Sequence, residues 1–76
     1  MKIEYDAEVD ALYIELRDVV VRDNVDIEEG VTVARDAKAR IVGLEILEAS
    51  KRLSPASLAC VTVRGLPRRR TKARGR

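Results

Sequence analysis

The side chains that could carry chemistry are mostly carboxylates, because the chain has no histidine and a single cysteine, Cys60. Without histidine, neither Cys60 nor any serine has the usual base that activates a nucleophile. The apolar neighbours of Cys60 indicate a small buried hydrophobic residue instead. The four glycines are scattered and form no phosphate-binding loop. This pattern predicts a protein that is not an enzyme and uses no cofactor.

Three carboxylates, Asp6, Glu8 and Asp10, fall within five residues. Hard cations take oxygen ligands from short acidic loops. The spacing, the central glycine and the final glutamate of a calcium-binding loop are missing, however. Aspartate is also a preferred turn residue because its side chain bonds to nearby backbone groups. The sequence therefore favours a hairpin turn over a metal site.

A second acidic run contains Asp23, Asp26, Glu28 and Glu29. By strand alternation, Asp26 and Glu28 share a solvent-exposed face. Such charges commonly keep a strand from pairing with other chains. The alternative is a docking surface for a basic partner, formed by Asp26, Glu28 and Glu29.

Charge is divided between the two parts of the chain. Residues 67–76 carry six positive and no negative charges, whereas the other 66 residues hold nine Lys/Arg against thirteen Asp/Glu. A cationic run binds phosphate backbones without sequence specificity, and it is equally typical of a disordered terminus with no ligand. The candidate nucleic-acid contacts are Arg68, Arg69, Arg70, Lys72, Arg74 and Arg76.

The most apolar stretch, residues 41–50, predicts the central strand of a sheet. Val42, Leu44 and Ile46 alternate onto one face, while Ile41 and Leu47 lie on the other, so both faces need cover. Residues 11–16 form its predicted neighbour. Further strands are expected at residues 2–6, at 19–29 with a bulge near 22–24, and at 31–34.

Ser54 and Pro55 match a helix N-cap followed by proline at the first helical position, which predicts a short helix over 56–60. Residues 61–63 are compatible with a last strand. Loops of two to six residues favour an antiparallel meander. The predicted fold is mainly β (α+β), with about five antiparallel strands and one short C-terminal helix. One domain spans residues 1–66, and 67–76 form a disordered basic tail.

Three stretches resemble the small prokaryotic domain-of-unknown-function family 2283. They are Tyr5-Asp6, residues 10–16 and residues 42–53, whose order and spacing match the family pattern "YD…aDaLYI.l" and "vvGiEil.AS". Where the family often has Gly or Asn before the last matched strand, this chain has Ala37-Lys38-Ala39. The resemblance implies a small β-rich domain with no established activity. It also implies a second small protein, similar to ribonuclease-type toxins, as a partner.

Association is the expected function. A single core of this size supplies only about 3–5 kcal/mol, and one cysteine excludes an internal disulfide, so a homodimer is expected. The leading hypothesis is a protein–protein association domain, antitoxin-like, whose acidic body binds a small basic toxin-like protein. The alternative is a nucleic-acid-associated protein that binds weakly and non-specifically through its tail.

No stretch reaches the roughly 18 apolar residues of a membrane span, and the charged N-terminus is unlike a signal peptide, so a cytoplasmic prokaryotic protein is expected.

Overall fold

The computed structural model describes residues 1–65, which form one five-stranded antiparallel sheet and two short helices. The predicted fold class is therefore confirmed, with two helices where one was expected. The strands are β1 (Lys2–Asp6), β2 (Ala11–Glu15), β3 (Asp23–Glu28), β4 (Val31–Arg35) and β5 (Ile41–Leu47). The helices are α1 (Ala49–Arg52) and α2 (Pro55–Ala59).

The strand order is β1-β2-β5-β4-β3, so β5 is the central strand and β2 is its neighbour, as the sequence predicted. A simple meander would keep the strands in chain order. Here β5 lies between β2 and β4, and residues 16–22 cross the end of the sheet to reach the far edge strand, β3. Backbone bonds hold both ends of this crossing, from Leu16 N to Val42 O (2.7 Å) and from Arg22 N to Arg35 O (2.7 Å).

The third strand is shorter than predicted, and its irregularity lies elsewhere. It begins at Asp23, and the register shifts between Asp26 and Glu28, not near residues 22–24. The valine-rich start of the predicted strand belongs to the crossing segment, where Val20 is 86 % exposed. A bulge on an edge strand bends it away from further pairing, so β3 is a protected edge.

The β4–β5 turn is organised by Asp36, whose side chain is nearly buried. Its Oδ1 accepts bonds from the backbone N–H groups of Lys38 and Arg40, each at 2.9 Å, and Arg40 Nε donates to Oδ2 at 3.1 Å. These hydrogen bonds hold the pKa of Asp36 below its ordinary value, and the bond from the Arg40 backbone has the largest effect. Ala39 completes the turn in the left-handed region, with φ 62°.

The second helix begins as the sequence predicted. Ser54 is its N-cap and accepts a bond from Ser57 N through Oγ at 3.1 Å, and Pro55 is the first helical residue.

Residues 61–63 form no strand within the described part of the chain. Cys60 is exposed, so the prediction that it is buried is wrong, because α2 ends before it and contributes no buried residue. Neither helix could span a bilayer, since each is far too short.

Candidate protein-binding surfaces

One side of the sheet is covered with apolar side chains. Cross-strand partners share a face, and the strand registers place Ile3, Ile14, Leu44, Val33 and Val25 in one row across all five strands. A second row contains Tyr5, Leu12, Ile46 and Val31. With Val42, these side chains are called the apolar face.

The apolar face is only partly covered. Among the described residues the buried apolar side chains are Leu12, Val33, Ala34, Val42 and Ala49. Ile3 and Tyr5, at the β1 edge, are 36 % and 41 % exposed. The two helices make only sparse contacts with the strands, which pack mainly against their neighbours in the sheet. The described residues therefore leave a sheet face that lacks a full second layer, which an isolated domain normally needs.

The opposite side of the sheet is polar and carries a row of three carboxylates. The register aligns Glu4, Tyr13, Glu45, Thr32 and Asp26 across the five strands. This set is called the acidic row. No cation of residues 1–65 forms an ion pair with any of its three carboxylates. Shallow grooves lie on both sides of Tyr13, and both are lined by Tyr13 and Glu45.

Tyr13 lies against Gly43 of the central strand. A Cβ at Gly43 would be 2.5 Å from Tyr13 Oη and 2.6 Å from the backbone oxygen of Ile14. The missing side chain thus lets the ring lie close to the sheet backbone, where it covers the glycine. No local pattern in the sequence identifies Tyr13 as the partner of Gly43.

Asp10 connects the first hairpin to α1. Its carboxylate accepts bonds from Tyr5 Oη (2.7 Å), Ser50 N (3.0 Å) and Ser50 Oγ (2.7 Å), and its backbone oxygen accepts from Ala49 N (2.9 Å). Because Glu48 provides no side-chain cap for α1, Asp10 satisfies the open N–H groups from another part of the chain. The hydrogen bond from Tyr5, and to a smaller extent that from Ser50, lowers the pKa of Asp10. The Tyr5–Asp10 bond also raises the pKa of Tyr5.

Asp6 also has a turn role, because its Oδ1 accepts a bond from Glu8 N at 3.0 Å. Asp6 thus ends β1, and Glu8 and Asp10 lie in the hairpin turn that the sequence favoured. No group of three or more potential ligands among residues 1–65 is arranged to hold a metal ion.

The three predicted docking residues are separated by the bulge in β3. Asp26 lies opposite Thr32 and accepts a bond from its Oγ1 (3.1 Å), whereas Glu28 lies opposite Val31, on the other face. Glu28 pairs with Arg52 at 3.1 Å, and Arg52 also donates to the backbone oxygen of Glu29. The face shared by Asp26 and Glu28 in the sequence prediction is therefore not present. The six basic tail residues lie outside the described part of the chain.

A family model described as a protein of unknown function (DUF2283) matches residues 2–50. The chain belongs to this family. The matched segment contains all five strands and the start of α1. Comparison with curated proteins and with solved structures found no match.

The DUF2283 motif residues of this chain have structural roles. Tyr5 and Asp10 from the first motif stretches meet Ser50 from the last, although 40 residues separate Asp10 from Ser50. Gly43, in the last stretch, accommodates Tyr13 from the second. The motif therefore describes how the sheet, its first turn and α1 are joined. Nothing in the sequence marked Asp10 as the cap of a distant helix, because capping signals are local.

Proposed function

We propose that this DUF2283 domain works by protein–protein association and catalyses no reaction. The observation that carries the proposal is the partly covered apolar face. A chain of this length depends heavily on every buried apolar group, and few of the side chains in residues 1–65 are buried. Association with a second chain supplies the missing layer.

A two-fold homodimer in which two apolar faces pack together is the simplest form of this association. Closed two-fold dimers are the commonest oligomers, and their interfaces are self-complementary. Two packed sheets lie about 10 Å apart, with interdigitated side chains. This arrangement would bury Ile3, Ile14 and Leu44 and leave the acidic row on the outside of the dimer.

Light scattering tests the homodimer. At about 100 µM, an interface of ordinary micromolar affinity is largely occupied, so the scattering mass should be twice that of the chain. A monomer mass at that concentration would contradict the proposal.

We further propose that the acidic body binds a second, basic protein, in the manner of an antitoxin and its toxin-like partner. The support is the excess of carboxylates in residues 1–66 together with the partner that the family resemblance implies. Purifying the native protein and identifying what accompanies it tests this. A stoichiometric basic protein is the expected result, and recovery of the domain alone would count against it.

Nucleic-acid binding through the tail is the second candidate, favoured by the six cations and no anions of residues 67–76. Because the acidic row would repel a polyanion, binding should depend on the tail. Up to about six counterions would be released, so affinity should fall steeply with salt.

The test compares duplex DNA and RNA at two salt concentrations, with the full chain and with a chain ending at Leu66. Loss of binding with the tail, without sequence preference, supports this candidate. Binding that survives removal of the tail, or prefers one sequence, contradicts it.

A further inference from the structure

Glu4, Glu45 and Asp26 of the acidic row are regularly spaced. They lie on β1, β5 and β3, so each is two strands from the next. Adjacent strands are about 4.8 Å apart, so the backbone positions that carry the three carboxylates repeat at roughly 9.6 Å across the sheet. Tyr13 lies between the first two, and Thr32 lies between the last two.

A polyproline II segment has a matching repeat. It has three residues per turn and rises about 3.1 Å per residue, so every third side chain lies on one face, roughly 9.3 Å apart. Three cations at positions i, i+3 and i+6 would therefore each face one carboxylate. A β-strand, whose same-face side chains repeat at about 6.6 Å, would not stay in register with them.

The aromatic ring selects among cations. A guanidinium stacks on an aromatic face and binds a carboxylate through two parallel bonds, whereas an ammonium is a strongly hydrated point charge. Tyr13 lies directly beside Glu45 and Glu4 in the row, at the junction of the two grooves. An arginine that reaches Glu45 or Glu4 can thus contact the ring of Tyr13 as well.

We propose that the acidic row binds an extended, arginine-rich segment of a partner protein, with arginines at every third position. This inference rests on the proposed association function and names the surface that the partner contacts. Of the docking residues expected from the sequence it keeps Asp26, and it replaces Glu28 and Glu29 with Glu4 and Glu45. In the face-to-face homodimer proposed above, each copy presents one such row to solvent.

The test uses three synthetic peptides and the full chain at low ionic strength, with binding measured by calorimetry. The first peptide is Arg-Pro-Pro-Arg-Pro-Pro-Arg, the second has the same composition with its arginines consecutive, and the third has lysine in place of arginine. The spaced arginine peptide should bind more tightly than each of the others by about two- to fivefold, the range of exposed ion pairs. The same full chain is used in all three titrations, so residues 67–76 affect each comparison equally.

Two matched variants locate the site. Glu45→Gln removes the central carboxylate and should weaken the spaced peptide about two- to fivefold. Glu29→Gln makes the same chemical change at the β3–β4 turn and should leave the affinity for the spaced peptide unchanged. Equal affinity for the spaced and consecutive peptides, or an equal loss in both variants, would overturn the inference.

Light scattering of the same samples separates this inference from the function on which it rests. A dimer that shows no preference for the spaced peptide would refute the acidic row and leave self-association intact. A monomer that binds the spaced peptide in a Glu45-dependent way would support the row and contradict the homodimer.

Discussion

Replacing Gly43 with alanine should destabilise the sheet at its centre. A Cβ at this position would lie 2.5 Å from Tyr13 Oη and 2.6 Å from the backbone oxygen of Ile14. The Tyr13 ring can rotate away, but the Ile14 oxygen belongs to the neighbouring strand and moves only if the backbone does. Relief of this contact therefore requires a shift between β2 and β5.

The size of the effect follows from two opposing terms. Extra volume in a packed region costs about 1–3 kcal/mol. Restriction of the unfolded chain by alanine returns roughly 0.4–1 kcal/mol. The net loss of about 1–2 kcal/mol should lower the melting temperature by roughly 5–15 °C, at about 4–8 °C per kcal/mol for a domain of this size.

Thermal unfolding followed by circular dichroism measures this effect, with the Tyr13→Ala variant and the double variant completing a cycle. The double variant should be less destabilised than the sum of the single ones, because one of the two close contacts is gone. It should not return to the stability of Tyr13→Ala, since the contact with Ile14 remains. A Gly43→Ala chain that melts within about 2 °C of the native one would refute the close-packing argument.

Three further predictions concern the turns and the tail. Ala39→Gly should raise the unfolding free energy by about 0.5–1 kcal/mol, because alanine in the left-handed region costs about 1–2 kcal/mol and the greater freedom of glycine in the unfolded chain offsets part of the gain. Urea denaturation measures the change, and the control Ala37→Gly, at a residue whose φ is not positive, should show no gain. The melting temperatures of the native chain and of Asp10→Asn should differ fully at pH 7, and the difference should close as the pH falls below about 4. The reason is that a carboxyl group whose pKa is lowered in the folded chain stabilises the fold only while it is ionised. A difference independent of pH would contradict the charged role of Asp10. Deleting residues 67–76 should change the melting temperature by less than about 2 °C, since their one apolar side chain offers almost no burial, and a larger drop in calorimetry would show that the tail contacts the body.

The sequence predicted the features that depend on nearby residues. The alternation of residues 41–47 identified the central strand, and Ser54-Pro55 identified the start of α2, because each signal is contained within a few residues. The motif stretches also identified the family over the segment that its model matches.

The features that were missed depend on residues far apart in the chain. The passage of residues 16–22 from β2 past β5 and β4 to the far edge strand, β3, is specified by no local pattern. The cap that Asp10 provides for α1 spans 40 residues. The bulge at Asp26 and Glu28 is set by the register with β4, whereas the polar residues that suggested a bulge near residue 23 lie where the strand begins.

Self-association through the apolar face is tested most directly by placing one charge on each side of the sheet. Ile3 lies on the apolar face and Leu47 lies opposite Ala11 on the polar side, and the two are similarly exposed, at 36 % and 42 %. Each is replaced by lysine, and light scattering is recorded over a range of concentrations. Unfolding temperatures confirm that both variants fold.

The Ile3→Lys charge would be buried without a partner in the dimer, whereas Leu47→Lys would stay in solvent. An unpaired buried charge costs at least about 3 kcal/mol, so the dimer dissociation constant of Ile3→Lys should rise at least 100-fold, while that of Leu47→Lys should change less than about threefold. Equal dissociation constants for the two variants, or a greater loss for Leu47→Lys, would show that the apolar face is not the interface.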